Sequence, residues 1–176
     1  DVIKEADALG YQHVEHTFEP VFDEHSKVLI LGSFPSVKSR EEGFYYGHPQ
    51  NRFWRLLARL TEEEIPETIE EKKTLLLKHQ IAIWDVVHSC DIVGSSDSSI
   101  KNVVPFELEK VLSSSPIRQI YANGGKAWQL YHRYCEKETG REAVKLPSTS
   151  PANAIFTLDR LTAVWGEELF GKQNTK

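Results

Sequence analysis

The residues best suited to chemistry lie in the segment GFYYGHPQNRFW (residues 43–54). Three rings, Phe44, Tyr45 and Tyr46, alternate there with Gly43, Gly47, His48 and Asn51, and a fourth ring, Phe34, precedes them. Flat apolar surface beside polar tips suits a planar heterocycle. Any single ring could instead close the core. As a group on a long connection they point to a ligand, because long loops in compact domains tend to be functional. Asn51 has two roles open. Its side chain suits the N-cap of a following helix, and a capping residue also faces whatever the positive helix end binds. His48 is either a hydrogen-bond donor to a ligand or a histidine that holds the loop.

Three other segments carry weaker signals. NGGK (residues 123–126) is a Gly-rich turn of the kind that receives phosphate on backbone N–H groups. It lacks the spacing of nucleoside-triphosphate and dinucleotide fingerprints, so it could be only a tight turn. PSTSPAN (residues 147–153) brings Ser148, Thr149 and Ser150 together with the N–H groups of Ala152 and Asn153. Hydroxyls and N–H groups hold phosphates, and prolines stiffen a loop. Its plain alternative is a polar entry to the last helix. IWDVVHSC (residues 83–90) places Asp85 at a strand end, where it could also cap a turn or pair with an arginine.

These segments need positioning elements, and the sequence supplies them. Apolar runs predict strands over residues 27–32, 81–87, 118–122 and 143–146. Helical spacing predicts helices over residues 51–60, 66–79, 106–112, 124–136 and 155–170, with a polar loop over 91–102. Strands alternating with helices imply an α/β fold: three layers, α/β/α, around a central four-stranded parallel sheet. Ligands bind beyond the carboxyl ends of such strands. Residues 33–51, 85–102, 123–126 and 147–153 all fall at that edge.

Composition sets outer bounds. The 176 residues suit one domain, read as residues 11–176 after an N-terminal extension over residues 1–10. The sequence has no methionine, so it is expected to be less than the whole translated product. No apolar run approaches a membrane span, and the acidic start does not resemble a signal peptide; a cytoplasmic protein is expected, nucleoid-associated if prokaryotic. Cys90 and Cys135 are too few for an iron–sulfur or zinc site and are expected as buried thiols. No metal or cofactor is expected. A net charge of −5 argues against a nucleic-acid partner taken alone. Acids crowd residues 1–31 and 61–71, however, whereas Arg118, Lys126, Arg133, Lys137, Arg141 and Lys145 dominate residues 113–153. A DNA-facing side is possible if the acids lie behind it.

Residues 32–35 (GSFP) followed by residues 43–54 resemble the first motif of the uracil-DNA glycosylase superfamily, and residues 146–153 (LPSTSPAN) resemble its last. The resemblance covers roughly residues 11–170 and is closest to the hypoxanthine (deoxyinosine) branch. It implies a monofunctional, monomeric DNA glycosylase that acts on an extruded base in damaged DNA. Many members carry Asp or Asn just after the first strand; here Ser33 or Phe34 stands there. The hypoxanthine branch shares that loss and places its catalytic Asn in the HPxN string, which is Asn51 in this chain. By this resemblance Asn51 aligns a water against C1′ and His48 donates to the departing base. Phe44 and Tyr46 contact the base, and Asn123 touches base or water. Asp85 accepts the N1–H of hypoxanthine or the N3–H of uracil, but repels adenine, which offers a lone pair. Ser33, Lys126, Ser148, Thr149, Ser150, Ala152 and Asn153 are implied as DNA contacts, with the last loop entering the minor groove.

Three alternatives remain open at this level. A uracil or mismatch-specific glycosylase differs only in the lesion. A non-catalytic nucleic-acid module would use the rings for stacking alone. A small-molecule nucleotide enzyme is weakened by the missing phosphate fingerprints. Lys38 and Lys126 raise the question of a Schiff-base lyase, but Lys38 lies among Arg40, Glu41 and Glu42 with no sign of a desolvating pocket. Water is the expected nucleophile.

Overall fold

Five successive residues, Val28–Gly32, are buried on both faces and form strand β2, as a continuous apolar run predicts. The computed structural model describes residues 10–171; the N-terminal extension, apart from Gly10, lies outside them. β2 pairs in parallel with β3 (Ile81–Asp85) and β6 (Gln119–Asn123), and β6 pairs in parallel with β7 (Ala143–Leu146). The strand order is β3-β2-β6-β7. The chain therefore steps one way from β2 to β3 and the opposite way from β6 to β7. Right-handed crossovers then put the two sets of helices on opposite faces, giving the three-layer arrangement. The point where the direction changes is a crevice between the carboxyl ends of β2 and β6.

The helices are α1 (Val37–Glu42), α2 (Phe53–Thr61), α3 (Ile69–Lys78), α4 (Glu109–Leu112), α5 (Gly125–Tyr134), α6 (Glu136–Thr139) and α7 (Leu158–Leu169). α3 starts later than Pro66 suggests. Thr68 accepts from the Glu71 amide while Glu71 reaches back to the Thr68 amide, a reciprocal cap that fixes the start. α2 buries Phe53, Trp54, Leu56, Leu57 and Ala58 and packs against α7; α5 packs on β6 and β7.

The structure corrects the reading of residues 81–105. β3 stops at Asp85, and β4 (Val87–Ile92) begins a separate antiparallel sheet with β1 (Gln12–Glu15) and β5 (Lys101–Pro105), in the order β1-β4-β5. Residues 91–102 are therefore not one loop. They hold the end of β4, a short 3₁₀ turn (Asp97–Ser99) and the start of β5. Lys101, Asn102 and Val104 are exposed, so β5 shows little apolar alternation. α1 was also absent from the expected elements; it folds inside the long loop after β2. Cys90 and Cys135 are buried free thiols, as expected, and burial pushes both up to about 11. No helix among the described residues is long and apolar enough to cross a membrane.

Candidate functional site

A cavity of about 290 Å³ opens at the carboxyl edge of the parallel sheet, over the β2/β6 crevice. Its walls come from the loop after β2, the ends of β3 and β6, and the loop after β7. Two glycines make this geometry possible. A Cβ on Gly32 would stand 2.4 Å from Asp85 Oδ1, so only glycine at the end of β2 leaves room for that carboxylate. Gly124 has φ 98°, a turn conformation disfavoured for residues with a Cβ, and lies against Ser148.

On the β7 side Thr149, which is fully buried, ties the polar groups of Asn123 and Asn51 together. Its amide donates to Asn123 Oδ1 at 3.0 Å, and its hydroxyl accepts from Asn123 Nδ2 at 3.0 Å. The same hydroxyl donates to Asn51 Oδ1 at 2.8 Å. Asn51 Oδ1 also accepts the Phe53 amide at 2.9 Å, the first N–H of α2. The Phe53 amide can only donate, which fixes the carboxamide: both lone pairs of its oxygen are used, and its NH₂ is the open end. Asn51 therefore caps α2 and lines the cavity at once. Arg52 stands at the formal N-cap position without a side-chain bond to the helix.

The Arg52 side chain instead holds the loop after β7. Its Nε donates to Thr149 O at 3.2 Å, Nη2 donates to Ser150 O at 2.8 Å and Asn153 O at 3.1 Å, and Nη1 donates to Phe156 O. The Arg52 amide adds a bond to Thr149 O. Within the loop, Ser148 and Ser150 hydroxyls accept from the amides of Ser150 and Ala152, and Asn153 Nδ2 donates to Ser148 O. The result is a stiff projection whose tip is exposed at Pro151 and Ala152, with Ile155 beside it 77% exposed.

On the β3 side the cavity is bounded by buried Asp85. Its Oδ2 lies 2.8 Å from Nε2 of buried His16, which follows β1. Tyr46 stacks on Phe53, with ring centroids 4.0 Å apart and an interplanar angle of 22°, and the ring lines the cavity. Its backbone has φ 55°, uncommon for a bulky residue. Its hydroxyl is buried beside Asp85 and Asn123; it leans on the Asn123 side chain without a fully formed hydrogen bond. Burial, reinforced by the Asp85 carboxylate and opposed by the Asn123 side chain, raises the phenol far above its ordinary pKa, so it stays protonated. His48 also lines the cavity. Its Nδ1 accepts the Gln50 amide at 3.1 Å, so a neutral His48 carries its proton on Nε2.

The structure brings together Tyr46, His48, Asn51, Asp85 and Asn123, together with Ser33, Ser148, Ser150 and Ala152. It corrects two assignments. Phe44 is not a base contact: it is buried in the core and stacks on Trp54 at 6.1 Å. Phe34 and Tyr45 line the cavity instead. Thr149 is no DNA contact, because it has no exposed surface and serves as the hub. Lys126, implied as a DNA contact, stands outside the cavity lining, partly exposed on α5 near Asp97. Ser33 is placed at the cavity, yet it is buried and its hydroxyl donates to Asp97 Oδ1 at 2.9 Å. Asp97 is exposed as a residue, but crowding of its carboxyl end raises its pKa, opposed by the Ser33 bond and Lys126. His16, Asp97 and the clamping role of Arg52 were missed. Of these only Arg52 left a signal, as part of the HPQNRFW string.

Similarity to known proteins runs over most of the chain. The model of the uracil DNA glycosylase superfamily matches residues 19–167. A hypoxanthine DNA glycosylase of Methanosarcina acetivorans is 36% identical over 149 residues, covering 84% of this chain and 93% of the relative. A hypoxanthine DNA glycosylase of Methanosarcina barkeri is 32% identical over 153 residues, covering 85% and 94%. The solution NMR structure of a candidate uracil DNA glycosylase from Methanosarcina acetivorans superposes with a TM-score of 0.72 at 34% identity, covering 89% of this chain and 96% of that one.

Proposed function

Because this chain belongs to the uracil DNA glycosylase superfamily, we propose that it is a DNA glycosylase that hydrolyses the bond between deoxyribose and hypoxanthine in damaged DNA. The observation that carries the reading is the placement of Asn51 and Asp85 on one cavity, with a rigid exposed loop at its mouth. Two relatives named for hypoxanthine release support the choice of base.

The loop held by Arg52 presses on the duplex through Pro151, Ala152 and Ile155 and offsets part of the few kcal/mol that base extrusion costs. The extruded base rests against Tyr46 and gives its N1–H to Asp85 Oδ1. Adenine presents a lone pair at that point and is repelled. A water lodged on the Asn51 NH₂ keeps a lone pair for C1′. Asn51 is no base, so the C1′–N9 bond breaks largely before the C1′–O bond forms, through an oxocarbenium-like sugar. His48 Nε2–H donates to the base as it leaves with the bonding electrons. The water gives up a proton to solvent, and the product is an intact abasic site.

Neither lysine raised above suits a Schiff base. Lys38 is exposed, 3.7 Å from Glu42, and neither Lys38 nor Lys126 lines the cavity. Borohydride is therefore expected to trap no adduct. The deciding experiment is a panel of duplexes bearing inosine, uracil, xanthine or mispaired thymine, treated with protein in chelator and then with alkali. Release is expected first from inosine. Release from uracil alone would move the reading to a uracil glycosylase, which Asp85 also suits. Binding without release from any duplex would leave a nucleic-acid-binding module.

A further inference from the structure

Asp85 has two oxygens, and the protein uses one. Oδ2 meets His16 Nε2 at 2.8 Å, and the two side chains are 5% and 0% exposed. Oδ1 lies over Gly32 and carries no hydrogen bond from the described residues. His16 has no freedom to withdraw. Its amide is bonded to His88 O, and its ring packs 4.3 Å from Phe18 and 5.0 Å from Phe106, centroid to centroid. Its Nδ1 is buried with no partner. A carboxylate only accepts, so Nε2 carries the hydrogen. The bare atom is then an unprotonated nitrogen, which is less costly than an orphaned N–H.

We propose that His16 is a positioning residue that sets the specificity of the base pocket: by holding Asp85 Oδ2 toward itself, outside the cavity lining, it leaves that carboxylate one oxygen for a base edge with one N–H, and guanine is refused. The inference rests on the reading of Asp85 given above. Guanine presents N1–H beside a 2-amino group, and a free carboxylate takes both, one on each oxygen. Hypoxanthine has only C2–H beside its N1–H and asks for one oxygen. With Oδ2 turned to His16, the guanine amine enters a buried site without an acceptor. An unpaired buried donor of this kind weakens binding roughly ten- to a hundredfold. Adenine is rejected by Oδ1 and guanine by Oδ2, so one pinned carboxylate excludes both normal purines.

The test measures affinity by fluorescence anisotropy, with duplexes carrying non-hydrolysable 2′-fluoro inosine, guanosine or adenosine opposite thymine. His16→Ala bares Oδ2 and is expected to shrink the inosine-to-guanosine affinity ratio roughly ten- to a hundredfold. His16→Gln restores an N–H donor and is expected to keep the ratio within about threefold of wild type, where loss of a purely structural ring would not be rescued. Asp85→Asn is isosteric and needs no change at His16. Nε2–H pins its amide oxygen, so its NH₂ faces the base, and preference moves from inosine to adenosine. A folded His16→Ala protein with an unmoved ratio, or an Asp85→Asn protein that still favours inosine, overturns the inference. If His16→Ala does not fold, the Asp85→Asn result decides alone. Wild-type protein blind to inosine would overturn the glycosylase reading and this inference with it. Wild-type preference with unmoved variants overturns this inference only.

Discussion

The two walls of the cavity are built on opposite terms. On the β7 side, Asn51, Asn123, Thr149 and Arg52 form a closed hydrogen-bond network. On the β3 side, the Tyr46 hydroxyl and Asp85 Oδ1 meet the cavity without a completed hydrogen bond, and His16 Nδ1 and Trp84 Nε1 are bare behind the wall, outside the cavity lining. Bare buried polar atoms are costly, so a fold optimised only for stability would not gather them beside a cavity. A wall tied together in this way, with the Asn51 NH₂ left open, can hold a water and a loop in fixed positions. A wall with open valences gains most when a ligand arrives. On the proposed reading, the contrast puts positioning of the chemistry on one side and recognition of the base on the other.

The strongest test of this division is Asn51→Ala. The single-turnover rate is expected to fall by about two to four orders of magnitude, with binding to inosine DNA retained, because the recognition wall is untouched. A folded variant within a few-fold of wild type would make Asn51 a cap and nothing more. Next is Arg52→Ala, which removes the side-chain donors to four loop carbonyls. A loss of about 2–3 kcal/mol in urea unfolding is expected, and Arg52→Lys should recover little of it, since one ammonium cannot reproduce the fork. An Arg52→Ala protein of wild-type stability would show that the loop holds itself. On the recognition side, Tyr46→Ala is expected to weaken lesion-specific binding by about 1–3 kcal/mol while leaving non-specific DNA binding nearly unchanged. Equal losses on both DNAs would return the ring to the core.

The smallest effect concerns Asp97, between the walls. Its raised folded pKa means that folding favours the protonated carboxyl. Its stabilising contribution is full below the unfolded carboxylate pKa and lost as pH rises through the folded value. Asp97→Asn, which can still accept from Ser33, is therefore expected to raise Tm slightly at neutral pH, and the difference should vanish in acid. A Tm difference that does not depend on pH would contradict this.

Most of the parallel sheet and the Asn51 loop were legible because they rest on local patterns: apolar runs, helical spacing and a dense string of special residues. The antiparallel sheet was not, because β5 is a largely exposed edge whose pairing with β4 is irregular. Phe44 was misplaced because a row of rings does not reveal which of them packs into the core: Phe44 lies against Trp54 while its neighbour Tyr45 lines the cavity. His16 reaches Asp85 across 69 positions and Arg52 reaches the last loop across about 100; neither contact leaves a trace in spacing.

That long reach has a consequence for how the protein is made. The Arg52 contacts join residues 97 to 104 positions apart, and closing such separations is slow because chain entropy is lost before the bonds form. The β7 loop cannot take its shape until α2 has docked, and Asn51, held locally by the Phe53 amide, gains its second bond only when Thr149 arrives. Partly folded chains therefore have no half-built site with which to grip DNA. In a refolding experiment, base release should return together with the last cooperative phase and at no earlier stage.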